Sequence, residues 1–132
     1  MTDMELIKSA IKAQKNSYAP YSDFNVGAAL LTQSGNIYLG CNIENSSYTP
    51  SVCAERTAIF EAISHGERKF KAIAIVGSQK DGEYKHFCYP CGVCRQVMSE
   101  FCPPQFKIIL GDNTENYEVT TLADLLPHSF KL

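Results

Sequence analysis

Two short stretches decide how this sequence is interpreted: Cys53-Ala54-Glu55-Arg56 and Pro90-Cys91-Gly92-Val93-Cys94. Their three cysteine thiolates can hold one zinc ion and leave its fourth tetrahedral position open for water, which is typical of catalytic rather than structural zinc. A carboxylate beside that water can accept its proton and pass it on. The sequence therefore predicts a catalytic zinc site, with the three cysteines as ligands and Glu55 as the proton carrier.

The composition is that of an ordinary soluble globular protein, with 45% hydrophobic and 20% charged residues. A length of 132 residues predicts a single domain, spanning residues 1–132. The net charge is only −2 and no run of Lys and Arg is present, which argues against a nucleic acid partner. No apolar stretch approaches the length of a membrane span, and the N-terminus lacks a basic start followed by an apolar block. We therefore expect no membrane partner and a cytoplasmic location.

Hydrophobic periodicity, capping signals and turn residues divide the chain into helices and strands. The predicted helices cover residues 3–17, 53–64, 92–101 and 122–126. The predicted strands cover residues 25–32, 36–44, 72–76, 106–110 and 117–120, with a loop at 78–90. The order of these elements predicts an α/β fold, a three-layer α/β/α sandwich on a mixed five-stranded sheet.

Helix N-termini are expected to position the metal ligands. Cys91 and Cys94 are three residues apart, so on the first turn of a helix their sulfurs lie on one face. Cys53 also falls at a predicted helix N-terminus, whose positive end favours a thiolate. Three thiolates give the zinc site a formal negative charge, which a hydrogen bond from Arg56, or from Arg95, to a sulfur would offset. The alternative for Arg56 is an ordinary solvated helix residue.

Other uses of the six cysteines fit the spacing less well. Cys88-x2-Cys91-x2-Cys94, followed by Cys102-Pro103, resembles an iron–sulfur sequence, but its last gap is seven residues rather than three. Cys88 is also a candidate fourth ligand of a closed structural zinc site. A redox pair of the C-x-x-C cysteines would leave the first cysteine and its nearby glutamate unexplained. Disulfides are not expected without a secretory signal, and we interpret Cys41 and Cys102 as small buried side chains.

A His or Cys two residues before Glu, followed later by P-C-x-x-C, is the signature of zinc deaminases. Over nearly its whole length the chain resembles the small, homotetrameric type of cytidine deaminase. The segments that carry this resemblance are 18–24, 24–30, 40–45, 53–58, 90–96 and 125–130. Segment 40–45, combined with Cys rather than His as the first ligand, is much more specific than P-C-x-x-C alone.

The resemblance implies an enzyme that deaminates cytidine and 2′-deoxycytidine hydrolytically to uridine and 2′-deoxyuridine, with release of ammonia. It implies one Zn²⁺ per chain, bound by Cys53, Cys91 and Cys94, with Glu55 as the catalytic residue. A role in pyrimidine salvage is implied as well. The subunits are expected to form a homotetramer with shared active sites.

Substrate-binding residues follow from the same resemblance. Phe24 is expected to stack on the pyrimidine, and Asn42 and Glu44 are expected to bind the ribose 3′-hydroxyl. Because Asn42 and Glu44 lie two residues apart at the end of a predicted strand, they would share a face. Without the resemblance they would be interpreted as surface polar residues, and Phe24 as a core residue.

Three further residues complete the implied site. Ala54 is expected to fix the base through its backbone, and Phe130 is expected to close the site of a neighbouring subunit. Tyr89 departs from the family pattern, in which Ser or Thr commonly precedes the proline. Its carbonyl group is still expected to receive the leaving amino group, with a reshaped pocket edge. Segment 80–87 is also unusual for the family.

Two other functions are open at this point. A related deaminase would act on another cytosine compound, such as blasticidin S or a cytosine in a polynucleotide. The polynucleotide is disfavoured because its 3′-phosphate would meet the Glu44 carboxylate and because the sequence predicts no basic groove. The second alternative is a noncatalytic structural zinc protein, against which the presence of Glu55 argues.

Overall fold

The computed structural model describes residues 1–79, Gly82 and residues 86–132. The described part of the chain contains the helices α1 (Asp3–Gln14), α2 (Ala54–Ser64), α3 (Gly92–Phe101) and α4 (Leu122–Leu125). It contains the strands β1 (Phe24–Thr32), β2 (Ile37–Cys41), β3 (Phe70–Gln79), β4 (Lys107–Gly111) and β5 (Tyr117–Thr121). The predicted order of helices and strands is confirmed, and each predicted bound lies within three residues of the observed one.

The strands form one mixed sheet in the order β2-β1-β3-β4-β5. β1 pairs antiparallel with β2 and β3, and β4 pairs antiparallel with β5. β3 and β4 are parallel, so they need a crossover connection, which contains α3. The predicted mixed five-stranded sheet is therefore confirmed.

Helices cover both faces of this sheet because alternate side chains of a strand point to opposite faces. On one face, Leu6 of α1 packs in a cluster with Ala74 of β3. On the other face, Ile73 of β3 packs in a cluster with Ile59 of α2 and Met98 of α3. All five side chains are buried, which gives the predicted α/β/α layers. Within the described residues, no helix has the length and apolar character needed to cross a bilayer.

α1 and β2 each end three residues earlier than predicted, at Gln14 and Cys41. The residues that follow α1 form backbone hydrogen bonds with the residues that follow β2. The Tyr18 N–H donates to the Asn42 carbonyl at 3.0 Å, and the Glu44 N–H donates to the Tyr18 carbonyl at 2.8 Å. Asn42 and Glu44 therefore lie just beyond β2, on either side of Ile43, which forms single β-bridges with Tyr18 and Val52.

β3 is longer than the predicted strand at 72–76, because its pairing with β1 continues until Gln79 lies opposite Phe24. The loop predicted for residues 78–90 consequently begins after Gln79. Of the unusual segment 80–87, only Gly82, His86 and Phe87 belong to the described residues. The rest of that segment lies outside them.

Candidate active site

Three cysteine sulfurs converge at the N-termini of α2 and α3. Cys53 is the N-cap of α2, Cys91 is the N-cap of α3, and Cys94 lies in the first turn of α3. The Cys91 sulfur lies 3.6 Å from those of Cys53 and Cys94, and all three sulfurs lie within 4.8 Å of one another. Sulfurs around a tetrahedral zinc, each at about 2.3 Å from the metal, are about 3.8 Å apart. The three side chains therefore fit a zinc ion.

Contacts between α2 and β2 hold Cys53 in place. A Cβ atom at Gly40 would collide with the Ala54 carbonyl oxygen and with Thr57 Oγ1, so glycine lets the first turn of α2 lie directly on the strand. Thr57 Oγ1 also donates to the Cys41 carbonyl oxygen at 2.9 Å. The N-terminus of α2, and with it Cys53, is thereby fixed relative to the sheet.

Arg56 is in direct contact with the sulfur cluster, since its Nη2 atom donates to Cys53 Sγ at 3.5 Å. Hydrogen bonds from Cys94 and from Arg56 lower the pKa of the Cys53 thiol, which favours the thiolate. Arg95, the other candidate for a contact with sulfur, instead donates to the carbonyl oxygens of Pro90 and Leu125, each at 2.7 Å. The expectation for Arg95 is therefore wrong.

Replacing Arg56 with alanine is expected to speed zinc loss to a chelator, or to lower turnover, by about 10–100-fold. The reason is that the thiolate charge loses its hydrogen-bonding cation, while the fold keeps its core. Arg56→Lys retains the charge and should lie between wild type and Arg56→Ala. Chelator competition and steady-state kinetics measure both effects. Unchanged values in both for Arg56→Ala would make Arg56 an ordinary solvated helix residue.

Glu55 lies in the first turn of α2 and is only 3% exposed. Burial raises the pKa of its carboxyl group to about 7, because removal from water disfavours the charged form. A carboxyl group with a pKa near neutrality is suited to accept and to release a proton there. Glu55 lines the same cavity as Cys53 and Cys91, so a proton carrier and two predicted ligands face one space.

That cavity has a volume of about 320 Å³. Its lining comprises Val26, Asn42, Glu44, Ser51, Val52, Cys53, Glu55, Arg56, Cys88, Tyr89 and Cys91. It thus brings together residues from segments that are distant in the sequence, including two metal ligands and several predicted substrate contacts. A larger cavity, of about 720 Å³ at the C-terminal end of α1, has none of the predicted site residues in its described lining. The candidate site is therefore identified by the residues that line the cavity and not by the volume of the cavity.

The Asn42 side chain is held by backbone groups of β1. Its Nδ2 donates to the Phe24 carbonyl at 2.8 Å, and its Oδ1 accepts from the Val26 N–H at 2.9 Å. The Ser17 hydroxyl donates to the same Oδ1 atom. Asn42 therefore fixes the start of β1, whereas Phe24 itself is not part of the described cavity lining.

The Glu44 carboxylate is held in a similar way by the turn before β1. One oxygen accepts from the N–H groups of Tyr21 and Ser22 at 3.0 and 3.1 Å, and the other accepts from the Ser22 hydroxyl. These bonds, led by that of the Ser22 hydroxyl, hold the pKa of Glu44 below its usual range. A carboxylate has about four acceptor positions, so it can also accept a hydrogen bond from a ligand.

Cys88, which the sequence offers as a candidate metal ligand, is instead part of the cavity wall. It lines the cavity but lies outside the cluster formed by the other three sulfurs, as does Cys102. Neither a closed four-cysteine zinc site nor an iron–sulfur sequence is therefore supported. A Cβ atom at Gly77 would lie 2.8 Å from Cys88 Cβ and 3.0 Å from Phe24 Cε2, so both side chains pack over this glycine. The available signal for this close approach was a glycine directly after the apolar stretch 72–76.

The remaining predicted residues differ in whether they line the cavity. Tyr89 lines the cavity, but its hydroxyl donates to Glu118 Oε2 of β5 at 3.0 Å, which anchors the ring at the neighbouring strand. Ala54 is fully buried and is not part of the cavity lining. Phe130 is 69% exposed and does not line the cavity of its own chain. The structure therefore brings Tyr89 to the site, and Phe130 of the same chain lies outside it.

A buried glutamate beside three convergent cysteines, on an α/β/α sandwich, is the arrangement of a zinc-dependent deaminase. The chain belongs to the cytidine and deoxycytidylate deaminase family, because residues 1–110 match its zinc-binding region.

Individual relatives agree with this assignment. A cytidine deaminase of Sporosarcina psychrophila is 49% identical over 126 residues, which cover 96% of this chain and 89% of that protein. The crystal structure of cytidine deaminase from Burkholderia pseudomallei has a TM-score of 0.90 at 46% identity, with 98% of this chain and 100% of that chain covered. A blasticidin-S deaminase of Bacillus cereus is more distant, with 31% identity over 128 residues, 95% of this chain and 89% of that protein.

Elemental analysis of the purified protein is expected to give about one zinc per chain, as for a site with three protein ligands. The preparation should be colourless and free of acid-labile sulfide, because the cysteines that would complete an iron–sulfur sequence lie outside the cluster. A variant with alanine at Cys102, which is buried elsewhere in the core, should keep its zinc. Iron together with labile sulfide would contradict the assignment of the metal.

Proposed function

We propose that this protein is a zinc-dependent hydrolase that converts cytidine and 2′-deoxycytidine into uridine and 2′-deoxyuridine with release of ammonia. The observation that carries the proposal is the buried Glu55 carboxyl group, which faces the same cavity as the cysteine cluster. Membership of the deaminase family supports the reaction, and relatives named cytidine deaminase support the substrate.

Bound to Cys53, Cys91 and Cys94, zinc supplies the Lewis acidity that makes water reactive near neutral pH. Glu55 accepts a proton from the attacking water and delivers it to N3 of the pyrimidine, which makes C4 electrophilic. The water oxygen then forms a bond to C4. Glu55 next carries the remaining hydroxyl proton to the amino group, the C4–N bond breaks, and ammonia leaves. Both proton transfers use one carboxyl group, which a pKa of about 7 favours.

The walls of the cavity are suited to a nucleoside. We assign stacking on the pyrimidine to Phe24, whose ring packs with Cys88 over Gly77. Asn42 and Glu44 line the cavity and would bind the ribose 3′-hydroxyl, with their orientation already set by hydrogen bonds to the β1 segment. Preorganised polar groups of this kind reduce the entropic cost of binding.

Two backbone groups complete the proposed contacts. The backbone of Ala54, in the first turn of α2 beside Glu55, would fix the base. The carbonyl of Tyr89 would receive the leaving amino group. The hydrogen bond from the Tyr89 hydroxyl to Glu118 supports this role, because it keeps the large ring at β5.

The assembly we propose is a homotetramer in which Phe130 closes the site of a neighbouring subunit. Phe130 is largely exposed and absent from the cavity lining of its own chain, which supports a contact with another chain. The backbone carbonyl of Phe130 accepts a hydrogen bond from Gln96 Nε2 of α3 at 3.5 Å. The backbone at Phe130 therefore lies close to the helix that carries Cys94. A cytoplasmic role in pyrimidine salvage is the matching physiological proposal.

The test is ammonia release from cytidine, 2′-deoxycytidine, blasticidin S and a single-stranded oligonucleotide that contains cytosine. We expect release from both nucleosides and none from the oligonucleotide, because its 3′-phosphate would be repelled by the Glu44 carboxylate. Blasticidin S is the second candidate substrate, since a blasticidin-S deaminase is 31% identical to the chain. Preferential turnover of blasticidin S would replace our proposal with that activity. No release from any substrate by zinc-loaded protein would indicate a noncatalytic role.

A further inference from the structure

The Arg95 side chain connects two backbone segments that are distant in the sequence. Its Nε atom donates to the Pro90 carbonyl and its Nη1 atom to the Leu125 carbonyl, each at 2.7 Å. Both hydrogen bonds come from a charged donor and are short, so they are among the stronger kind. Both are partly buried, which limits competition by water.

Each carbonyl belongs to a segment that matters for the site. Pro90 immediately precedes Cys91, the N-cap of α3 and one of the three cysteines. Leu125 is the last residue of α4, where a helix leaves carbonyl groups without intrahelical partners. Arg95 therefore lies between the backbone that carries Cys91 and the C-terminal segment that leads to Phe130.

The three cysteines differ in how firmly they are held. Cys94 is fully buried, and Cys53 receives a hydrogen bond from Arg56. Cys91 is exposed, and the hydrogen bonds described for its sulfur are those with the sulfurs of Cys53 and Cys94, with no cationic donor among them. The position of the Cys91 sulfur thus depends chiefly on its backbone, and Arg95 holds the preceding carbonyl.

We propose that Arg95 is a positioning residue that keeps Cys91 in place for zinc by fixing the Pro90 carbonyl against the end of α4. This proposal depends on the proposed function in one respect only, because it takes the zinc site to be the catalytic site. Arginine suits the role because its planar fork offers separate nitrogens to two acceptors, whereas lysine offers a single ammonium group.

The experiment compares the rate of zinc release to a chromogenic chelator in zinc-loaded wild type, Arg95→Ala and Arg95→Lys. Residues that orient metal ligands typically change metal affinity by about 10–100-fold, so we expect Arg95→Ala to release zinc faster by that factor. Arg95→Lys should be intermediate. kcat for cytidine should fall in the same order, because less zinc stays bound at the site.

Two controls separate positioning from general stability. Arg68→Ala removes a guanidinium that also donates to two backbone carbonyls, those of Ile63 and Glu67, away from the cysteines. Ile7→Val weakens the core on the opposite face of the sheet. Both should release zinc at the wild-type rate, even where thermal unfolding shifts.

The zinc-release experiment can be interpreted independently of the test for ammonia release. Zinc release needs no substrate, so inactivity of wild type toward cytidine would refute the proposed function and leave this comparison intact. If Arg95→Ala does not fold, Arg95→Lys carries the test alone. Zinc release at the wild-type rate from a folded Arg95 variant, or equal acceleration in Ile7→Val, would overturn the positioning role.

Discussion

Glu55→Gln is expected to lower the turnover of cytidine by at least about 10⁴-fold, because two proton transfers worth roughly 10² or more each are lost together. Glutamine keeps the size and the hydrogen-bonding capacity of glutamate but cannot carry a proton. Zinc content should remain near that of wild type, since the three cysteine sulfurs are unchanged. Because burial already favours the neutral form of Glu55, the neutral amide is not expected to destabilise the fold.

The matched control is Glu61→Gln, the same substitution at an exposed position of the same helix. This variant should retain wild-type kinetics and zinc content. Steady-state assays of ammonia release and elemental analysis on all three proteins provide the measurement. A Glu55→Gln enzyme that keeps a tenth of the wild-type activity would show that another group carries the protons.

Mixed oligomers of Glu55→Gln and Phe130→Ala chains are expected to recover activity that neither parent shows. Loss of the Phe130 ring should lower turnover by about 10²-fold, the scale of a misplaced substrate. If Phe130 serves a neighbouring subunit, a site can combine Glu55 from one chain with Phe130 from the other. After random mixing of equal amounts, about a quarter of the sites would contain both an intact Glu55 and an intact Phe130. Each site is built from two symmetry-related chains, and each of these is of the required type in about half of the cases.

Each parent should be refolded alone by the same procedure as the control, and mass spectrometry should establish that mixed oligomers have formed. If Phe130 instead served the site of its own chain, every chain in the mixture would lack one of the two groups. Mixed oligomers without recovered deamination would therefore contradict the shared site. Recovery near a quarter of wild-type activity is the result that the proposal requires.

The zinc ligands were predictable because local sequence determines their placement. Cys91 and Cys94 share the first turn of one helix and Cys53 precedes another, and the zinc deaminase signature joins Cys53 to them across 38 residues of sequence. The central strands could also be predicted from the sequence, since buried central strands are continuous apolar stretches. In the strands and in the pair Cys91 and Cys94, each residue's role depends on neighbours a few positions away.

The less predictable features depend on contacts between distant segments. β2 ends early because Tyr18 competes for the backbone of Asn42 and Glu44, which periodicity within one strand cannot reveal. Arg95 reaches two carbonyls rather than a sulfur because the end of α4 lies within its range, 30 residues away in sequence. Cys88, in the connection between β3 and α3, reaches the cavity wall because Gly77 of β3 leaves room for its side chain.

The most direct test of the central claim is hydrolysis of cytidine in water labelled with heavy oxygen. Mass spectrometry is expected to detect uridine with one labelled oxygen at C4, formed in equal amounts with ammonia. Removal of zinc by a chelator should abolish this product, and readdition of zinc should restore it. Unlabelled uridine, or no uridine from zinc-loaded wild-type protein, would contradict a hydrolytic cytidine deaminase.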